Sequence, residues 1–181
     1  MKPILEYIIS KNTKKYAIKA TDATIKKIVK DELDRLGHDA DLNHIDVSEV
    51  TDMNKLFSCA EKDYLGQQYN DLNPNINSWN VSKVEKMWCM FWKCKNFNKD
   101  LSQWNVGNVN HTGGMFAGCE SFNQDLSGWD VSNVTNMNDM FYECKKFNQD
   151  LSRWNVKNVK KSYINMFYEC PIKEEYKPKF N

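Results

Sequence analysis

The sequence predicts an α/β solenoid, a stack of about five strand-helix units with a parallel sheet on one face. Three observations carry that reading. Trp79, Trp104, Trp129 and Trp154 recur at a fixed interval of 25 residues, and Phe91, Phe116 and Phe141 keep it, as do Cys94, Cys119 and Cys144. The phrase Phe-Asn-x-Asp-Leu-Ser returns at the same interval from Phe97, Phe122 and Phe147. Within a unit the apolar spacing changes. Trp129-x-Val131 has the two-residue step of a short strand, whereas Met137, Met140, Phe141 and Cys144 have the i, i+3, i+4, i+7 step of a helical stripe.

The elements follow in chain order. Residues 1–40 form an N-terminal cap, in which Ile25, Ile28, Val29, Leu33 and Leu36 share one helical face, Thr21 is the expected N-cap and Gly37 lies beyond the C-terminus. Lys15 to Ala20 is expected to add a strand to the cap. Residues 41–172 form the repeat, opening on a degenerate unit with Ile45 in the Trp place. Ile45 and Trp79 are 34 positions apart, nine more than one interval, which places an insertion near 60–72. Residues 173–181 form a short C-terminal cap or tail, with Pro171 stopping the last helix and Ile172, Tyr176 and Phe180 folding over the final unit. Asn98, Asn123 and Asn148 are expected to form a ladder, each short amide bonding turn backbone. Two helices are expected to be irregular: the third unit's contains Gly113-Gly114, and the fifth has one extra residue before Phe167.

Composition narrows the function. The chain has 181 residues, 41% of them apolar, enough for a sizeable core, and a formal net charge of +1, which gives no general pull toward nucleic acid or anionic membrane. Charge is nevertheless segregated. Residues 31–63 carry ten acidic and three basic side chains, residues 100–144 six acidic and no basic ones, and residues 145–161 six basic ones against Asp150 alone, an acidic middle and a basic end that can orient a charged partner. No stretch is long and apolar enough to span a membrane, and Ile4 to Ile9 is too short for a signal-peptide core, so the expectation is a cytoplasmic rather than a surface location.

The chemistry-bearing residues are mostly accounted for by packing. The six cysteines are read as reduced thiols, because they form no Cys-x-x-Cys pair and follow the buried stripe. Asp39-x-Asp41-x-Asn43 starts like a calcium loop, but His44 stands in its Gly position and Val50 in its Glu position. His38, His44 and His111 are scattered, with no nucleophile elbow or phosphate-cradling loop. Asn80-Val-Ser82, Asn110-His-Thr112 and Asn133-Val-Thr135 match the glycosylation triplet but largely restate the repeat. The expectation is therefore no enzyme, no metal and no cofactor.

Two surfaces remain for a partner. On the strand face, Gln103, Gly128 and Arg153 form one outward column and Asn105, Asp130 and Asn155 a second, together a polar platform. On the helix side, Trp88 and Trp92 lie off the buried stripe, and Tyr142 and Tyr168 share the column of Trp92. Such rings are typical interface anchors, although Tyr64, Leu65 and Tyr69 of the insertion could cover them.

The run from Phe122 to Phe141, Phe-Asn-Gln-Asp-Leu-Ser-Gly-Trp-Asp-Val-Ser-Asn-Val-Thr-Asn-Met-Asn-Asp-Met-Phe, resembles the repeat of the BspA-like bacterial surface proteins, a leucine-rich-repeat-related family. The resemblance covers about residues 38–172. It implies a leucine-rich-repeat-like scaffold that binds a ligand and is often surface-displayed. Met1 to Ser10 is similar to leaders on proteins of large tailed phages. The reading that results is a non-catalytic protein-protein interaction module with an unidentified protein partner. The alternative is a self-assembling structural protein or a phage-related intracellular inhibitor of a host protein.

Overall fold

The structure, a computed structural model, describes residues 17–59 and 71–180. Among these, regular structure is confined to the two ends. A short strand β1 (Ile18–Lys19) pairs in parallel with β2 (Ile45–Asp46), in register Ile18 to Ile45 and Lys19 to Asp46. One α-helix, α1 (Ile25–Leu36), and a 3₁₀ turn at Glu174–Tyr176 complete the inventory. This overturns the expected stack of five strand-helix units: the described residues contain one helix and one two-stranded parallel sheet.

The reason lies in where the backbone N–H groups go. In the segment read as a helix, Met140, Tyr142 and Cys144 donate three residues back, to Met137, Asp139 and Phe141. The N–H groups between them leave the segment: Asp139 donates to Ile164 O at 2.9 Å, Phe141 to Met166 O at 2.9 Å and Glu143 to Tyr168 O at 2.8 Å. Consecutive tight turns thus replace the helix. They also return a side chain to the interior every three or four residues, so the apolar spacing of turns and helix is the same. Asp139 (φ 57°) and Glu143 (φ 55°) sit in the left-handed region that such turns require and a helix excludes. The Trp-x-Val step is likewise built from turns, Trp129 N donating to Leu126 O and Val134 N to Val131 O, both at 3.0 Å. Among the described residues the copies share single parallel bridges rather than strands: Asp41 to Asn75, Asp52 to Lys86, Lys86 to His111 and His111 to Asn136.

Residues one sequence interval apart nevertheless lie against one another. Phe57, Phe91, Phe116, Phe141 and Phe167 stack in a column with successive ring centroids 5.4 to 5.7 Å apart. The four repeat tryptophans are 4 or 5% exposed, and each indole N–H donates backwards to a buried carbonyl, Trp104 to Ile76 at 3.2 Å and Trp129 to Leu101 at 3.0 Å among them. The asparagine ladder forms. Asn98, Asn123 and Asn148 take the next backbone N–H on Oδ1 at 3.0 Å, from Asn123, Asn148 and Lys173.

Of the two glycines read as defects, Gly114 has the opposite meaning, and Gly118 shares it. Gly114 (φ +62°) and Gly118 (φ +74°) occupy the left-handed positions that Asp139 and Glu143 fill in the following copy. There the absence of Cβ relieves strain rather than costing helix stability. The extra residue before Phe167 interrupts no helix, since the segment around it is built of bends and turns.

Helix α1 buries Ile25, Val29 and Leu33 in the core with Leu42, Ile45 and Val50. Its N-cap is Thr24 rather than Thr21, whose N–H donates to Thr24 Oγ1 at 2.9 Å, and Gly37 N donates to Leu33 O at 2.8 Å at the other end. Lys15 and Tyr16 of the expected strand lie outside the described residues, as do residues 60–70 of the expected insertion. Its size shows across the gap: Met53 N bonds Lys86 O, 33 positions on, where Met87 N bonds His111 O, 24 on, a difference of nine. At the C-terminal end Ile172 is buried, while Tyr176 and Phe180 pack on the core.

Candidate functional site

The aromatic residues singled out from sequence are displayed as two pairs. Trp88 is 41% exposed and Tyr168 50%, while Trp92 and Tyr142 are half-buried. Turns present these side chains outward because Met87, Met90, Phe91 and Cys94 take the inward positions. Lysines attend the first pair, Lys55 Nζ lying 4.9 Å from the Trp88 ring centroid and Lys93 Nζ 5.4 Å from that of Trp92. The second pair stacks on itself, with Tyr142 and Tyr168 centroids 5.1 Å apart. Ala117, which is buried, stands in the column between Trp92 and Tyr142, so the structure does not join the four rings into one strip. Tyr64, Leu65 and Tyr69 lie outside the described residues.

The polar columns are exposed, but the parallel strands expected to carry them are absent. Their side chains are partly committed to building the turns. Asn105 Oδ1 accepts from Gly107 N at 3.2 Å, Asp130 Oδ1 from Ser132 N at 3.0 Å and Asn155 Oδ1 from Lys157 N at 3.5 Å. The hydrogen bonds from Ser132 hold the Asp130 carboxyl below its ordinary value, so it stays charged. Gln103 reaches only Ser102 Oγ, at 3.2 Å, and Gly128 and Arg153 are exposed, Arg153 beside Asp150, whose carboxyl it helps keep ionised after the stronger effect of Ser152.

Sequence reasoning missed two features. A groove of about 610 Å³ is lined by Thr51, Lys83, Glu85, Asn108, Asn110 and Asn133. Two of its amides are spoken for, Asn108 donating to Ser82 O at 2.6 Å and Asn133 to Gly107 O at 2.7 Å. The other feature is an apolar exposure at Tyr163 (37%) and Ile164 (63%), next to Tyr168. Its signal was present: both residues lie off the buried spacing, in the copy with the extra residue.

The buried cysteines have no outward role in this geometry. Burial pushes the Cys94, Cys119 and Cys144 thiols well above the ordinary cysteine range, and their Sγ atoms donate to the carbonyls of Phe57, Phe91 and Phe116 at 2.8, 3.0 and 3.0 Å. His111 accepts from Gly113 N at 3.2 Å on Nδ1 and so replaces the Asx oxygen that Asn136 supplies to Asn138 N. His44 Nε2 meets Glu32 at 2.8 Å beneath α1. Asp41 Oδ1 closes a turn on Asn43 N at 2.9 Å. His38 Nδ1 meets Asp71 Oδ1 at 2.5 Å, so the three histidines sit in three separate local networks.

Among the described residues no helix is long and apolar enough to cross a membrane. In comparison with known proteins, the family described as "Mycoplasma protein of unknown function, DUF285" matches residues 31–111 and, overlapping them, 63–178. No curated protein and no solved structure matches the chain. The two family matches together run from residue 31 to residue 178, and the chain therefore belongs to this bacterial DUF285 family.

Proposed function

We propose that the chain is a protein-interaction module with no catalytic role of its own, and that it engages a partner protein through the outward aromatic side chains. The observation that carries this reading is the exposure of Trp88 and Tyr168, large rings left 41% and 50% open to solvent beside a fully formed core. Exposed Trp and Tyr give up much apolar surface on contact at little cost in side-chain order, which is why such residues dominate binding energy. The lysines over Trp88 and Trp92 add a charge that an acidic or aromatic group on the partner can meet. The resemblance of the repeat phrase to BspA-like surface proteins supports a ligand-binding role. The polar platform around Asp130 and Arg153 is the weaker candidate, because its carboxylate and amide oxygens already serve the turns.

The test is the Trp88→Ser/Trp92→Ser double variant, compared with wild type by quantitative affinity purification from the native host. The partner band should fall at least about tenfold, since each true anchor is worth roughly 2 kcal/mol, while circular dichroism stays native. An unchanged band, with Asp130→Lys/Arg153→Glu losing it instead, would transfer the function to the polar face. Light scattering on the purified chain separates both outcomes from self-assembly, in which the same rings bury against a second copy.

A further inference from the structure

Each copy of the repeat hands a row of backbone N–H groups to carbonyls of the next. Met137, Asp139, Phe141 and Glu143 donate to Ser162, Ile164, Met166 and Tyr168 at 2.6 to 2.9 Å, and the preceding copies repeat the arrangement. In the final copy the corresponding donors are Tyr163, Asn165, Phe167 and Glu169, and among the described residues no acceptor reaches their N–H groups. Backbone donors seek partners, so this edge takes its acceptors from outside the described residues. The C-terminal tail covers the core beside the edge without closing it: Phe180 stacks on Tyr163 at 4.1 Å and Tyr176 O accepts from Leu151 N at 2.8 Å.

The chemistry of the row limits what fits. It offers donors only, so the same edge of a second copy would set donors against donors. An ordinary strand alternates N–H and C=O along its edge and would waste half its groups. Carboxylates are acceptor-only, each with about four lone-pair sites. The charge nearby has the matching sign. Lys160 and Lys161 lead directly into the row, both are exposed, and neither has an ion-pair partner among the described residues. The one carboxylate within the row, Glu169, is bridged to Lys145. Apolar contact is available alongside, at Ile164 and Tyr168.

We propose that the donor edge from Tyr163 to Glu169 docks an extended acidic segment of a partner protein, whose carboxylates meet the N–H row and Lys160 and Lys161 while its apolar residues rest on Ile164 and Tyr168. The proposal deepens the interaction reading and rests on it only in taking the partner to be a protein.

The experiment uses the full chain with two fluorescein-labelled peptides, one alternating Glu and Leu and the other Gln and Leu, and a single-stranded oligonucleotide of similar length as a polyanion control. By anisotropy the Glu peptide should bind at least about tenfold more tightly than the Gln peptide or the oligonucleotide, and Lys160→Glu/Lys161→Glu should remove that margin. Ile164→Ser/Tyr168→Ser should also weaken it, with native circular dichroism in both variants. Amide exchange should slow at Tyr163, Asn165, Phe167 and Glu169 when the Glu peptide is bound. Equal binding of the Gln peptide, tighter binding of the oligonucleotide, unchanged exchange at these amides, or self-association that the Glu peptide does not displace would each overturn the proposal. The Trp88→Ser/Trp92→Ser variant should keep the Glu peptide, so that failure at this edge leaves the tryptophan surface standing.

Discussion

Trp104 shows how much a single repeat position holds. Its ring is 4% exposed and its indole N–H satisfies the Ile76 carbonyl, so truncation removes both a large apolar body and the partner of a buried acceptor. Trp104→Ala should cost about 3–5 kcal/mol, a large part of a typical stability of about 5–15, and urea denaturation should show it as a collapse of the midpoint. His111 gives a prediction in pH. Its imidazole is held below the ordinary value of 6.5 by desolvation, and Nδ1 must be unprotonated to accept from Gly113 N. The unfolded chain therefore binds the proton more readily than the folded one, so this contribution is complete above 6.5 and is lost as pH falls through the lower folded value. His111→Asn, the residue type that the next copy carries at Asn136, should flatten that part of the stability profile while leaving the fold intact, as thermal melts across the window would read.

At the level of the element, the tight turns explain which residues are strained and which are relieved. Glu143 holds φ 55° with a side chain that makes the left-handed region costly, whereas Gly118 fills the equivalent position at φ +74°. Glu143→Gly should therefore stabilise by up to about 1 kcal/mol, and Gly118→Ala should destabilise by about 1–2 kcal/mol. A Cβ at Gly118 would also stand 3.3 Å from Lys93 Cγ, which adds to the second effect. Had these segments been helices, both signs would reverse, because glycine lowers helix stability. Paired urea titrations of the two variants decide between the alternatives. Helix α1 differs from the turns in needing no left-handed residue until Gly37 (φ 93°), which ends it.

For the whole molecule, the segregation of charge becomes spatial. Of the acidic stretch, Asp31, Glu32 and Asp34 lie on α1 and Asp39, Asp41, Asp46, Glu49 and Asp52 follow it at the N-terminal end, whereas Lys157, Lys160 and Lys161 belong to the last copy, which carries the open donor row. Between them the chain is held by hydrogen bonds from copy to copy rather than by long regular elements. Among the described residues the 12-residue α1 is the one α-helix, so far-ultraviolet circular dichroism should lack the strong helical signal that a helix in every copy would give. Intense minima of the kind given by a helix in every copy would contradict the turn architecture.

Periodicity alone located the copies, the nine-residue offset, the inward tryptophans and phenylalanines, the asparagine ladder and the outward position of Trp88 and Tyr168. Those features depend on which side of the chain a residue faces, and apolar spacing reports that directly. Spacing could not report the backbone that delivers the residues, because i, i+3, i+4, i+7 is met equally by a helix bonding within itself and by paired turns bonding to a neighbour. Only the tertiary structure sends alternate N–H groups across to the next copy, as from Phe141 to Met166, and so removes the helices and the extended sheet. The same fact decided the site. Whether the N–H groups of Tyr163, Asn165 and Phe167 meet an acceptor depends on what lies beside them in space, which no pattern along the chain encodes.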